Sequence, residues 1–138
     1  MNKTHKNKTL ATLLAFLFGV FGAHRFYMHG VRDKWGWLHL VSLPLTSVLL
    51  TAAPDLPVFF AAGPMILSAL IAFLAALVIG VTPDDKWDAR HNAESGRVSN
   101  SRWPLAILLV LTLGVGATSL IAVIARSFDL FLTGGAYG

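Results

Sequence analysis

The 138-residue chain has no cysteine, so it can form no disulfide, no thiolate metal site and no cysteine nucleophile. Charge is nearly as scarce. Asp, Glu, Lys and Arg make up 13% of the residues while 55% are hydrophobic, and the mean hydropathy is positive, a balance rare in a soluble domain of this size. Charged residues are missing altogether from Trp35–Ala53, Leu56–Val81 and Pro104–Ala125, each with 19 or more residues, enough to cross roughly 30 Å of hydrocarbon. A fourth uncharged run, Thr9–Ala23, has 15 residues and reaches only about 22 Å as a helix. The fold class that follows is all-α: a multi-pass integral membrane bundle of three or four hydrophobic helices with a short interfacial helix.

Other absences narrow the chemistry. No nucleophile–base arrangement, Gly-rich phosphate loop or helical double-histidine motif is present, so neither an enzyme nor a cofactor is expected. The net charge of +4 raises nucleic acid as a partner, but the eleven Lys and Arg flank apolar segments and form no stripe; the bilayer is the expected surface. Asp84, Asp85, Asp88 and His91 fall at spacings that share a helix face, yet Lys86 and Arg90 neutralise that stretch and no metal is expected. A cleavable signal sequence ending at Ala23 would place Phe21 where a small residue is wanted, so the first segment is expected to stay.

What is present is patterned. Ala11, Ala15, Gly19 and Ala23 recur every fourth residue, as do Ser68, Ala72, Ala76 and Gly80, and in the last segment Ala106, Gly114, Thr118 and Ala122, with only Val110 interrupting. Lipid gives helices no hydrophobic reason to associate, so close backbone approach across small residues must hold them together. These faces are expected to pack inside the bundle, with homo-oligomerisation as the alternative use. Pro44 predicts a kink or break near Ser42. The stretch TPDDKWDARHN, 82–92, reads as a short interfacial helix with Thr82 as cap, Pro83 at its first position, Asp84 and Asp85 at its positive end, Trp87 toward lipid, and Asp88, Arg90 and Asn92 completing its polar face. The following NAESGRVSNS reads as a flexible loop. The domain scheme is a basic tail at 1–8, a membrane domain at 9–92, a polar loop at 93–103 and an additional helix with a short tail at 104–138.

The first run stops at FGAHRFYMHG, 21–30. Arginine is tolerated near the bilayer edge, where its stem lies along apolar surface and its head reaches water, and tyrosine and tryptophan favour the same level. His24, Arg25, Tyr27, Arg32 and Lys34, with Phe26, Trp35 and Trp37 among them, therefore read as an anchor and turn, and as candidate contacts for a lipid headgroup or other anion.

The segment KTLATLLAFLFGVFGAHRFYMHG, 8–30, resembles the signature of the TM-two domain family, small membrane proteins built on a hairpin of hydrophobic helices with a G-x-G-x-H/D-R-F-Y-x-G type turn. Gly22, His24, Arg25, Phe26, Tyr27 and Gly30 match in order, with the first glycine displaced to Gly19. TPDDKWDARHN is similar to the acidic segment that follows the last helix of such domains, which carries the resemblance from Lys8 to about Asn92. An acidic residue often found inside that last helix aligns with Ala75, and Pro104–Gly138 and part of 39–65 lie outside the pattern. The resemblance implies a membrane protein of a family with no established enzymatic activity and no agreed biochemical role.

The function expected is that of a non-catalytic component of the bacterial cytoplasmic membrane, scaffolding or modulating a membrane-protein partner or a second copy. The alternative is a small channel or transport accessory with a polar path beside His39 and Thr46. If the second and third runs both cross, Arg25, Arg32, Lys34, Lys86, Arg90, Arg97 and Arg102 share a side, against no Lys or Arg in Ala53–Pro57, which places that side in the cytoplasm. Whether Lys3, Lys6 and Lys8 join them depends on whether the short first run spans or re-enters.

Overall fold

The computed structural model describes residues 4–136, and every regular element among them is a helix. In chain order the elements are α1 (Lys8–Phe18), a 3₁₀ turn (Gly19–Phe21), α2 (Ala23–His29), α3 (Lys34–Ala52), α4 (Val58–Ala61), α5 (Gly63–Val81), α6 (Asp84–His91) and α7 (Trp103–Thr133). Three of them, α3, α5 and α7, are long and apolar enough to cross a membrane, and the first apolar segment is shorter. The protein is an all-α membrane protein.

The short first segment folds back on itself. The Asn7 side chain caps α1 by accepting from the Leu10 N–H. Eleven residues carry α1 inward by about 16 Å, and the chain then reverses through the 3₁₀ turn and Gly22. Gly22 has φ +76°, and a Cβ there would strike the Gly36 carbonyl of α3, so both the backbone angle and the close approach demand glycine. α2 returns toward the starting end. There the Lys6 ammonium donates to the Met28 carbonyl, and the Tyr27 hydroxyl accepts from the Asn7 N–H at 2.8 Å. The first segment is therefore a helical hairpin whose two ends lie together, so it does not run through as one straight helix.

α5 is the central helix, packed against α1, α3 and α7. Ser68, Ala72, Ala76 and Gly80 are all buried along it; Ala72 and Ala76 pack with Gly19, Ala11 and Ala15 of the hairpin, which are buried too, and Gly80 lies toward α7. A Cβ on Gly19 would run into the Ala72 methyl, and the Phe16 and Phe73 rings meet at 5.9 Å. Ala23 lies beyond the reversal at the start of α2, so it leaves the face that its spacing assigned it to.

Three other local expectations are corrected. Of the kink or break expected at Pro44, the break is absent: α3 runs through it as one helix. Leu56–Val81 is two helices, because Pro64 at the start of α5 lacks the N–H that would join it to α4. On α7 the buried stripe is Leu105, Leu108 and Thr112, with Gly116 against Phe73 and Leu109 over Gly80. Gly114 and Thr118, along with Ala106 and Ala122, are exposed on the opposite side of that helix.

Candidate functional site

Polar residues gather in two places, one at an end of the bundle and one inside it. At the end, Lys8 is only 5% exposed and lies 2.5 Å from Asp84, donating also to the Thr82 carbonyl at 2.7 Å. Asn92 is buried and clasps the backbone of Lys6 from both sides, accepting from its N–H at 2.7 Å and donating to its carbonyl at 3.0 Å. The Trp87 indole N–H donates to the same carbonyl at 2.9 Å. Trp87 thus points into the protein, 2% exposed, and not toward lipid: an extended tail at Lys6 needed a partner, and the indole of α6 supplies it. Pro83, not Thr82, is the cap residue of α6 and makes no side-chain cap, while the Thr82 hydroxyl bonds back to Val78.

The polar loop beyond α6 is tied down. Asp84 accepts from the Ser101 N–H and hydroxyl at 2.7 and 2.5 Å, and Asp88 from those of Ser99 at 2.6 and 2.5 Å. Four residues of helix and two of extended chain both advance about 6 to 7 Å, so the Asp84–Asp88 and Ser99–Ser101 spacings match. Burial alone would raise the pKa of both aspartates, but these hydrogen bonds, with Lys8 at Asp84 and Asn92 at Asp88, outweigh it; Asp84 is lowered to about 2 and Asp88 in the same direction. A loop expected to be flexible is an ordered strap, and its serines carried no sequence signal beyond that spacing.

Arg25 grips Asp33 through two hydrogen bonds of 2.9 and 3.0 Å, which hold the Asp33 carboxyl below its ordinary pKa, and Asp33 in turn caps α3 through the Gly36 N–H at 2.8 Å. Trp37 donates to the Val31 carbonyl at 2.7 Å and meets Phe26 edge-on, so the α2–α3 turn is fastened on both sides. This clamp is built from Arg25 and Phe26 of the motif together with Asp33 and Trp37. The chain carries a TM2 domain, matched over residues 4–51. The match covers the hairpin and α3 and ends short of the Asn92 to which the resemblance reached. None of the curated proteins and none of the solved structures compared matches the chain.

The second polar group lies within the TM2 domain and its contact with α5. His24, expected near the headgroups, is fully buried, with its ring 5.4 Å from that of His39. His39 is hydrogen-bonded through Nδ1 to the Ser68 hydroxyl at 2.6 Å, and Ser68 donates to the Val20 carbonyl at 2.9 Å, joining α5 to the tip of the hairpin. Ser42 bonds to the His39 carbonyl. Neither ring nitrogen of His24 nor the Thr46 hydroxyl has a hydrogen-bond partner among the described residues. Of the candidate anion contacts, the structure brings His24 and Arg25 to one cleft, engages Tyr27 with Asn7, and leaves Arg32 and Lys34 exposed outside it. Asp85 and Arg90 are exposed on α6. Among the described residues no group of three His, Cys, Asp or Glu is placed to hold a metal ion.

Proposed function

We propose that the protein is a non-catalytic, multi-pass component of the bacterial cytoplasmic membrane that scaffolds or modulates a membrane partner, another protein or a second copy, through the uncovered side of α7. One observation carries this reading: of three small-residue faces, two are largely buried inside the bundle, mostly in the α1–α5 contact, while Ala106, Gly114, Thr118 and Ala122 remain exposed. Small residues admit a second helix closely. Co-purification from native membranes, read by mass spectrometry, tests it. The Gly114→Leu/Thr118→Leu variant should lose a partner or the dimer while keeping its fold; an unchanged set of associated proteins and an unchanged oligomeric state overturn the reading.

The orientation proposed puts the hydrogen-bonded end in the cytoplasm. Lys6, Lys8, Arg25, Arg32, Lys34, Lys86, Arg90, Arg97 and Arg102 belong to the tail, turn and loop of that end, whereas Arg126 lies 23 residues along α7 from Trp103, about 35 Å away. This asymmetry supports the positive side facing inward. With no native cysteine, Asn100→Cys should be protected from an impermeant thiol reagent in intact cells and Asp55→Cys labelled; the reverse pattern inverts the orientation.

The buried His24, His39 and Ser68 favour a second reading, a small channel or transport accessory. Ion flux in liposomes that is abolished by His39→Leu would replace the scaffold with it.

A further inference from the structure

Between α2, the last turns of α5 and α6 lies a cleft of about 190 Å³, smaller than the roughly 300 Å³ at which small-molecule pockets begin. Its buried lining is formed by Met28, Ile79, Trp87 and the His24 ring, and its apolar part continues onto Val78, which is 57% exposed on the outer face of α5. Its exposed lining carries two cations, Lys86 and Arg90, four apart on α6, with the His29 imidazole also among the lining residues, from α2. None of the lining residues is acidic.

The neighbouring carboxylates are spent elsewhere. Asp33 is held by Arg25, Asp84 by Lys8 and Ser101, and Asp88 by Asn92 and Ser99, while Asp85 is exposed outside the cleft. The side chains of Lys86 and Arg90 make no hydrogen bond or ion pair with any described residue. The His29 and His91 rings lie 5.7 Å apart. Burial first and then nearby positive charge lower both pKa values, His91 to about 4 with Lys6 and Arg90 nearby and His29 with Arg25 nearby, so the two rings are mostly neutral near pH 7. His24, fully buried with both ring nitrogens unpartnered, also borders the cleft. A pocket with uncompensated positive charge at its rim and an apolar wall opening onto a lipid-facing helix is complementary to an anion attached to a hydrocarbon chain.

We propose that this cleft binds the phosphate group of an anionic phospholipid, Arg90 and Lys86 engaging the phosphate oxygens and Met28, Val78 and Ile79 receiving the start of an acyl chain. Guanidinium matches phosphate oxygens two at a time and lysine adds a point charge. Free phosphate shares the recognised chemistry but leaves the apolar wall unused. The site is separate from the outer face of α7, and its occupancy does not depend on the partner proposed for that face.

Native mass spectrometry of the full chain in neutral detergent tests this with phosphatidylglycerol, phosphatidylcholine, glycerophosphate and inorganic phosphate as probes. Lys86→Gln/Arg90→Gln should lower phosphatidylglycerol retention about tenfold or more, whereas Arg97→Gln/Arg102→Gln, with the same loss of charge outside the cleft, should leave it unchanged. Both target side chains are exposed and unpaired, so an unchanged melting temperature accompanies the loss. Retention of phosphatidylcholine equal to that of phosphatidylglycerol, unchanged retention in the cleft variant, or an equal fall in the control pair overturns the proposal. Phosphatidylglycerol that inorganic phosphate does not displace supports the lipid; glycerophosphate or inorganic phosphate bound as well as phosphatidylglycerol overturns the lipid assignment and identifies a free-anion site.

Discussion

The first apolar segment and the last are held in the bundle by different means. α1 enters the bundle with its tail hydrogen-bonded at one end, its methyls and Gly19 against α5, and the tip of its hairpin bonded to Ser68. α7 is nearly three times as long, and only Leu105, Leu108 and Thr112 are buried on it. In a bilayer, burial against protein and burial against lipid remove water equally well, so a helix can be stable in the membrane with little protein around it. Polar groups have no such freedom. A lysine or backbone amide withdrawn from water must find a partner, and the polar tail before α1 therefore dictates tight, directional packing that the apolar face of α7 does not require.

Ion pairs sharpen this contrast most. Asp84→Asn leaves the buried Lys8 ammonium without its counter-charge and should lower stability by about 3 kcal/mol. Arg126→Gln, which breaks the more exposed Arg126–Asp129 pair on α7, should cost less than about 1 kcal/mol. Thermal unfolding of the purified variants in mild detergent compares them directly, and equal losses would erase the distinction between the two regions.

Gly19→Leu forces the α1–α5 backbones apart and should cost about 1 to 3 kcal/mol by overpacking. Gly114→Leu, where a Cβ meets nothing within 4 Å, should stay within about 0.5 kcal/mol of the parent protein. A comparable loss at Gly114 in the monomeric, detergent-solubilised protein would show that α7 is packed more closely than its exposed face indicates.

Ser101→Ala removes one hydrogen bond to Asp84 and should cost about 1 kcal/mol, with the backbone N–H of residue 101 still in place. Limited proteolysis of the 93–102 loop should accelerate in this variant if the serines strap it down, and an unchanged cleavage rate would count against the strap.

A further contrast is read in the pH dependence. His91 titrates near 4 in the folded protein against an ordinary 6.5, so the unfolded chain binds a proton there that the folded one does not. Stability must then fall as pH drops from 6.5 toward 4 and be flat in this respect above 6.5. His91→Asn should flatten part of that slope in melts recorded across the interval; an identical slope would mean that His91 does not supply it.

The amino-acid sequence by itself determined that the apolar runs are helical, though not where they break, because uncharged runs of sufficient length have no other way to satisfy their backbone in lipid. It also determined which residues let α1 and α5 approach, since Ala11, Ala15, Ala72 and Ala76 recur at the helical spacing. It pointed to the H-R-F-Y turn as a feature in its own right. Only the tertiary structure decided which way each element turned. Hydrophobicity distinguishes water from everything else, and in a membrane segment it gives the same reading for a face against lipid and a face against another helix; thus α7 uses Leu105, Leu108 and Thr112 and leaves Gly114 outside. The burial of Lys8, His24 and Trp87 was illegible for a related reason. Their partners are at Asp84, His39 and Lys6, and no local pattern records that the first hairpin brings those positions together.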